Sequence, residues 1–124
     1  MKREKKAFVF AIERNSDKKL LGTISLHNCN WIDRSASLGI AIHDPENRGK
    51  GYGQEAIKLL LDFAFKTLNL NRVELETLDF NEIAQKCFRK VGFREVGRKR
   101  KAKFINGKYR DTIVMDILKD EWVH

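Results

Sequence analysis

The sequence predicts an α/β domain built on a mixed sheet, and three observations carry that prediction. Short apolar and β-branched runs fill the first third of the chain, and apolar residues then recur at helical spacing. Near the end of the chain, the dipeptide Asn106-Gly107 joins two further strand-like runs. The 124 residues suit one domain, so residues 1–124 are predicted to form a single domain.

The first three strands are separated by short links, which predicts an antiparallel meander. In the third strand, Leu38, Ile40 and Ile42 would share one face of the sheet, with the small residues Gly39 and Ala41 on the other. The three strands are predicted at residues 8–12, 20–26 and 36–43.

The middle of the chain predicts a strand–helix–strand unit, with the helix at 53–68 and the next strand at 73–78. A crossover of that length allows parallel pairing of the two strands. A second helix would begin after Asn81, a good N-cap residue, and stop at Gly92. The last two strands are predicted at residues 93–104 and 109–118.

Composition excludes several classes of protein. The net charge of +8 is concentrated in residues 1–6, with four bases and one acid, and in residues 98–103, with five bases and no acid. No apolar run approaches the ~20 residues of a membrane span, and the start of the chain lacks the apolar stretch of a signal peptide. Cys29 and Cys87 cannot form the disulfide framework of a secreted domain. We therefore expect a cytoplasmic protein without a membrane partner.

A glycine-rich loop lies between the third strand and the long helix. Gly49, Gly51 and Gly53 permit the backbone angles that gather N–H groups into one concavity, and Arg48 and Lys50 add positive charge. With the positive end of the helix dipole, this loop would bind a phosphate or pyrophosphate. The alternative is a glycine-rich turn without a ligand. Neither the Walker A motif nor the dinucleotide fingerprint fits the spacing.

The loop matches the pattern R-x-x-G-x-G at Arg48, Gly51 and Gly53, and here the chain resembles the GNAT family of acetyl-coenzyme A-dependent N-acetyltransferases. The stretch from Asn81 through Ala84, Phe88 and Gly92 to Phe93 is similar to the second signature of that family. Residues 104–115 are similar to the branch that acetylates polyamines, antibiotics or the N-termini of proteins, including ribosomal proteins.

This resemblance implies a mostly antiparallel sheet with a splayed strand pair, flanked by helices. It also implies transfer of an acetyl group from acetyl-coenzyme A to a primary amine of a small molecule or protein, by direct attack in a ternary complex. A backbone N–H near Ile40 would stabilise the oxyanion. Asn81 would touch the pantetheine arm, with a simple helix cap as the alternative. The implied coenzyme-binding residues are Leu38, Gly39, Ile40, Ala41, Ile42, Arg48, Gly49, Lys50, Gly51, Tyr52, Gly53, Asn81 and Phe88.

Two positions depart from the family pattern. Many members carry a proton-donating Tyr where Phe88 stands, and several carry a Glu that acts as general base where Ser37 stands. The attacking amine must still lose a proton. The catalytic residues therefore stay unknown, with Tyr109, Cys87 and Glu76 as weak candidates and Asp79 and His43 as further ones.

The sequence also bears on whether a metal ion or a nucleic acid is a partner. His27, His43, Cys29 and Cys87 lack paired-ligand spacing, so we expect no metal. The absence of known RNA-binding signatures makes a nucleic-acid partner unfavoured. Two alternatives stay open: a non-catalytic coenzyme A-binding module, and a basic-surface protein that associates with nucleic acid or the ribosome. Strict alternation would place Lys99, Lys101 and Lys103 on one face of their strand.

The match begins at the second strand of the family, whose members usually start with a strand and two helices that wall the acceptor site. We expect one of three situations: a truncated chain, a homodimer in which a second copy completes the site, or an open acceptor groove that admits a large substrate.

We predict that Arg48→Ala weakens acetyl-coenzyme A binding by ~1.5–3 kcal/mol, because a charge-assisted contact to the pyrophosphate is lost. Isothermal titration calorimetry measures the change. An unchanged affinity would contradict the assignment of Arg48 to the coenzyme site.

Overall fold

The computed structural model describes residues 5–42 and 51–122, which form a six-stranded mixed sheet covered by two helices on one face. The strands are β1 (Phe8–Glu13), β2 (Leu20–Asn30), β3 (Ser35–Ile42), β4 (Arg72–Leu78), β5 (Arg94–Ile105) and β6 (Lys108–Leu118), in the order β1-β2-β3-β4-β6-β5. The helices are α1 (Tyr52–Asp62), which a π-helical segment (Phe63–Thr67) extends, and α2 (Glu82–Val91); a 3-10 turn (Lys119–Glu121) follows β6. The predicted fold class is confirmed, and the single domain over residues 1–124 stays a prediction.

The first three strands form the predicted antiparallel meander. Strand β2 runs four residues further than the sequence predicted, to Asn30. The pairing is irregular between His27 and Asn30, where Asn28 has a φ of 51°. This irregularity hides the strand from a pattern search, because it breaks the simple alternation of apolar and polar residues.

Strands β3 and β4 pair in parallel over only a short distance. The pairs are Ser35–Arg72, Ala36–Val73 and Ser37–Glu74, and the pairing stops there. Beyond that point β3 stays paired with β2 as far as Ile42, and β4 stays paired with β6 as far as Leu78. The two halves of the sheet therefore separate between β3 and β4, and the predicted splay is confirmed. We call this opening the splay.

The two faces of the sheet differ in chemistry. On β4, Val73 and Leu75 are buried, whereas Glu74 and Glu76 alternate with them on the opposite face. The buried face packs against α1 and α2, which also contact each other. We call the opposite side the polar face, because Ser25, His27, Ser37, Glu74 and Asp116 occupy matching register positions on it across the central strands.

The C-terminal hairpin confirms one prediction and corrects another. Asn106 and Gly107 have φ values of 51° and 76°, which suit the tight turn that this dipeptide predicts. The expected alternation of Lys99, Lys101 and Lys103 is wrong. A bulge interrupts β5 between Lys99 and Lys103, and Lys101 has a φ of 51° and donates its N–H to Asp111 Oδ1 at 2.8 Å.

We predict that Gly92→Ala lowers the free energy of unfolding by ~1–3 kcal/mol, because Gly92 ends α2 with a φ of 126°. The added Cβ would also lie only 3.1 Å from Ile117 Cδ1. Urea denaturation measures the loss. Gly97→Ala on β5 is the control, because a Cβ there has no neighbour within 4 Å among the described residues. Equal stability of the two variants would contradict the prediction.

Candidate active site

The splay brings the predicted coenzyme-binding strand next to the start of α1. A Cβ placed on Gly53 would lie 3.7 Å from Ile40 Cδ1, so the first turn of the helix packs directly against β3. Leu38 is buried, Ile40 and Ile42 are half-buried, and Ala41 is exposed. The strand thus combines side chains packed in the core with a backbone edge that β4 leaves open.

The start of α1 has the geometry of an anion site. Gly51 is the N-cap with a φ of 86°, and a Cβ there would meet nothing within 4 Å among the described residues. The first N–H groups of a helix lack intrahelical partners, and they point along the positive end of its dipole. Tyr52 and Gly53 form the first turn. Four predicted residues, His43, Arg48, Gly49 and Lys50, lie outside the described residues, so their roles stay predictions.

Asn81 is seen in its capping role. Its side-chain oxygen accepts a hydrogen bond from the Ala84 N–H at 3.2 Å, and Gln85 fastens the same turn by donating to the carbonyls of Leu78 and Asp79. Phe88 is 7% exposed, and its ring meets the Phe93 ring edge-on at 6.0 Å. Contacts of Asn81 and Phe88 with the coenzyme stay predictions, because these interactions explain both residues without a ligand.

Glu76 lies on the polar face beside the splay, but its carboxylate is already engaged. It accepts hydrogen bonds from Lys99 Nζ at 2.8 Å and Thr112 Oγ1 at 2.9 Å. The hydrogen bond from Lys99 lowers the pKa of Glu76 below its ordinary value. The carboxylate is therefore ionised at neutral pH, and both partners reduce its tendency to accept a further proton.

The other catalytic candidates are less well placed for proton transfer. Burial raises the pKa of the Cys87 thiol on α2, which makes its thiolate scarcer. Tyr109 lies three residues beyond the last β4–β6 pair, is 63% exposed, and packs its ring 5.0 Å from Phe104. Asp79 Oδ1 is buried without a hydrogen-bond partner among the described residues, while Asp79 Oδ2 lies 3.5 Å from Arg98.

Sequence reasoning missed the position of His27, which it considered only when it rejected a metal site. His27 pairs with Ser37 across β2 and β3, at the last residue before the splay. Its Nδ1 lies 3.3 Å from Ser25 Oγ. The predicted meander could have revealed this position. Pairing β2 with β3 in register places His27 opposite Ser37, where several family members carry the general base.

Acidic residues on other strands form ion pairs with the basic cluster at residues 98–103 and offset part of its positive charge. Arg98 contacts Asp111 at 2.9 Å, and Lys99 contacts Glu76 at 2.8 Å. On the neighbouring strands, Arg72 holds both Glu74 and Asp116. The polar face is therefore a network of paired charges around the splay, and the strong positive strand that the sequence suggested is partly neutralised.

Two searches of residues 5–42 and 51–122 bear on other functions. No group of three or more His, Cys, Asp or Glu side chains in these ranges could hold a metal ion. No helix in them is long and apolar enough to cross a membrane.

Comparison with known protein families identifies the family to which the chain belongs. Residues 1–94 match the family model described as an acetyltransferase (GNAT) domain. The chain belongs to the GNAT acetyltransferases. The family resemblance expected from the two motifs is confirmed.

Individual relatives fall in the expected branch of the GNAT family. YdaF of Bacillus subtilis (strain 168), whose name assigns it provisionally to ribosomal N-acetylation, is 37% identical over 106 residues, covering 86% of this chain and 57% of YdaF. Spermidine N(1)-acetyltransferase of Vibrio cholerae serotype O1 is 36% identical over 115 residues, covering 93% of this chain and 65% of the relative. The chain thus spans less than two thirds of the length of these curated relatives.

Solved structures confirm the GNAT fold. The Vibrio cholerae spermidine N-acetyltransferase in complex with CoA and spermine superimposes with a TM-score of 0.88 at 35% identity, covering 95% of this chain and 69% of that one. The same Vibrio protein was also solved as a dodecamer and in complex with manganese ions.

We predict that Asn81→Ala lowers the free energy of unfolding by ~1 kcal/mol, because the N-cap hydrogen bond to Ala84 is lost. Asn81→Asp is the matched variant, since Asp keeps the capping oxygen but loses the amide donor. If Asn81 also touches the coenzyme, Asn81→Asp keeps its stability and loses affinity. Urea denaturation and calorimetry separate the two roles, and an Asn81→Ala variant as stable as wild type would contradict the capping assignment.

Proposed function

We propose that the protein transfers the acetyl group of acetyl-coenzyme A to a primary amine by direct attack in a ternary complex. The observation that carries this proposal is the β3–β4 pairing that stops after three residue pairs beside the N-terminus of α1. Pairing that ends inside a sheet leaves backbone N–H and C=O groups that need other partners. An extended amide-bearing chain such as pantetheine provides such partners.

The coenzyme would lie with its pantetheine arm along β3 and its pyrophosphate at the start of α1. Gly51 leaves open space there, and the first-turn N–H groups and helix dipole favour an anion. The predicted contributions of Arg48, Gly49 and Lys50 would add to this. The thioester would then lie in the splay near Gly39 and Ile40, within reach of the polar face.

The polar face suits an acceptor that carries positive charge. Glu74, Glu76 and Asp116 bring three carboxylates close to the splay, each already paired with a base. A protonated amine entering here can compete with Lys99 or Arg72 for these carboxylates. The relatives named for spermidine and for ribosomal acetylation act on such amines by name, and we propose an amine of this class as the acceptor.

The leaving thiolate needs little help in this mechanism. Phe88 has no proton to donate, but thiols have pKa values near ~8.5, so a thiolate is a tolerable leaving group near neutral pH. Catalysis would rest mainly on orienting the two substrates and on stabilising the oxyanion with a β3 backbone N–H. This distribution of roles makes removal of the proton from the amine the step that most needs a side chain.

Three expectations from the sequence stay predictions here. Self-association as a homodimer is supported by the dodecameric Vibrio relative, although that assembly is a property of the relative. The absence of a bound metal and the cytoplasmic location are likewise open to experiment.

Two measurements test the proposed activity. Calorimetry is expected to show acetyl-coenzyme A binding, and a panel of polyamines and N-terminal peptides is expected to produce amine-dependent release of coenzyme A thiol. No binding at millimolar acetyl-coenzyme A would contradict the proposal. Binding without any amine-dependent rate above hydrolysis, with and without added divalent metal, would instead favour the non-catalytic module. Salt-sensitive binding to nucleic acid in a filter assay would favour the third class of function.

A further inference from the structure

We infer that His27 is the general base that removes a proton from the acceptor amine, an assignment that rests on the proposed acetyl transfer. The family position for a carboxylate base is Ser37, and Ser37 cannot accept a proton at neutral pH. His27 is the residue directly opposite Ser37 on β2. The side chain that can carry a proton thus stands one strand away from its expected place.

The position of the imidazole relative to the splay carries the argument. A Cβ placed on Gly39 would lie 3.3 Å from His27 Cε1 and 3.2 Å from Ser25 Oγ. The imidazole therefore lies over Gly39, the glycine that follows the last β3–β4 pair by two residues. Gly39 precedes Ile40, near which the oxyanion-binding N–H is predicted. The base and the reacting carbonyl would be about one residue apart along β3.

The surroundings of His27 favour a base with one free nitrogen. In the tautomer whose Nδ1–H donates to Ser25 Oγ, at a separation of 3.3 Å, Nε2 keeps its lone pair. Among the residues that the structure describes, its register neighbours on the polar face are uncharged: Ser25 on its own strand, Val9 opposite Ser25 on β1, and Ser37 and Gly39 on β3.

Further along the same row, β4 and β6 carry charged groups. Glu74 pairs with Ser37 on the far side from His27, and Arg72 binds the Glu74 carboxylate. Arg72 also binds Asp116 on β6, the cross-strand partner of Glu74. Arg72 supplies one positive charge to these two carboxylates, so the row keeps a net charge of −1. The remaining negative charge attracts a cationic amine toward the face on which the His27 imidazole lies.

The proposed step needs no reactant besides the two substrates. His27 Nε2 takes one proton from the ammonium form of the acceptor, directly or through one water, and leaves a neutral amine. The amine nitrogen forms a bond to the thioester carbonyl carbon, and the C–S bond breaks with its electron pair going to sulfur. The second amine proton goes to the thiolate, and the imidazolium returns its proton to solvent. The products are an amide and the coenzyme A thiol.

The kinetic test compares His27→Gln with wild type on the amine that the panel identifies. We expect kcat/KM to fall about 100-fold and the acid limb of its pH profile to disappear. Ser25→Ala is expected to lower the rate less and to keep the acid limb. Lys58→Gln, an exposed position on α1 behind the sheet, is the control with an unchanged profile. An active His27→Gln variant with the wild-type rate and profile would overturn the inference.

A second measurement needs no acceptor and separates this inference from the proposed function. In a proton NMR spectrum, the His27 Cε1–H signal is identified as the one that His27→Gln removes. We expect it to shift when acetyl-coenzyme A is added, because the thioester would come to lie beside the ring. A His27 signal that stays fixed at saturating acetyl-coenzyme A would overturn the placement, even if the enzyme proves active. A shifted signal in a protein that acetylates no amine would support the placement while the proposed activity fails.

Gly39→Ala covers the case in which His27→Gln does not fold. The added methyl would lie closer to the imidazole and to Ser25 Oγ than side chains ordinarily pack, so these groups must shift by a few tenths of an ångström. We expect a folded protein with slowed acetyl transfer and a displaced His27 signal. Full activity with an unmoved signal would contradict the contact on which the inference depends.

Discussion

The end of parallel pairing between β3 and β4 is the constraint on which the site depends. A sheet normally satisfies its backbone groups strand by strand, and a gap in its middle leaves groups that are costly to bury unpaired. Here each side of the gap is held from outside, β3 by β2 and β4 by β6. The opening is therefore fixed by the two flanking pairs. The opening is present without a ligand, so the sheet provides a preformed place for one.

The side chains on the two sides of the splay differ in size and charge. On the polar side of β3, Gly39 leaves room for the His27 ring and Ala41 is exposed, while Leu38 anchors the same strand in the core. Across the gap, Glu76 and its partners Lys99 and Thr112 form the opposite wall. One wall is thus nearly uncharged and the other carries paired ions. A ligand that enters between them meets an apolar or hydrogen-bonding side and an ionic side, which suits a thioester facing an amine.

Local signals predicted most of the fold, whereas contacts distant in sequence stayed hidden. The cap at Asn81, the stop at Gly92 and the turn at 106–107 each depend on a few neighbouring residues, and each was found. The ion pair between Glu76 and Lys99 joins residues 23 positions apart and depends on the order of β4, β6 and β5. The bulge at Lys101 depends on Asp111 from the facing strand. Neither follows from a local pattern, so the pairing of these basic residues was not predicted.

The same reasoning explains why a histidine on β2 can replace a carboxylate at residue 37. Ser37 stands directly opposite Glu74, and like charges in opposed positions on neighbouring strands destabilise a sheet. A carboxylate at 37 would therefore compete with Glu74 for Arg72, which already holds Glu74 and Asp116. An imidazole at His27 adds no carboxylate to this row and avoids that competition. It reaches the same face from the next strand, because Gly39 leaves room for the ring. Moving the proton acceptor by one strand thus keeps the ion-pair row intact and still places a base at the edge of the splay.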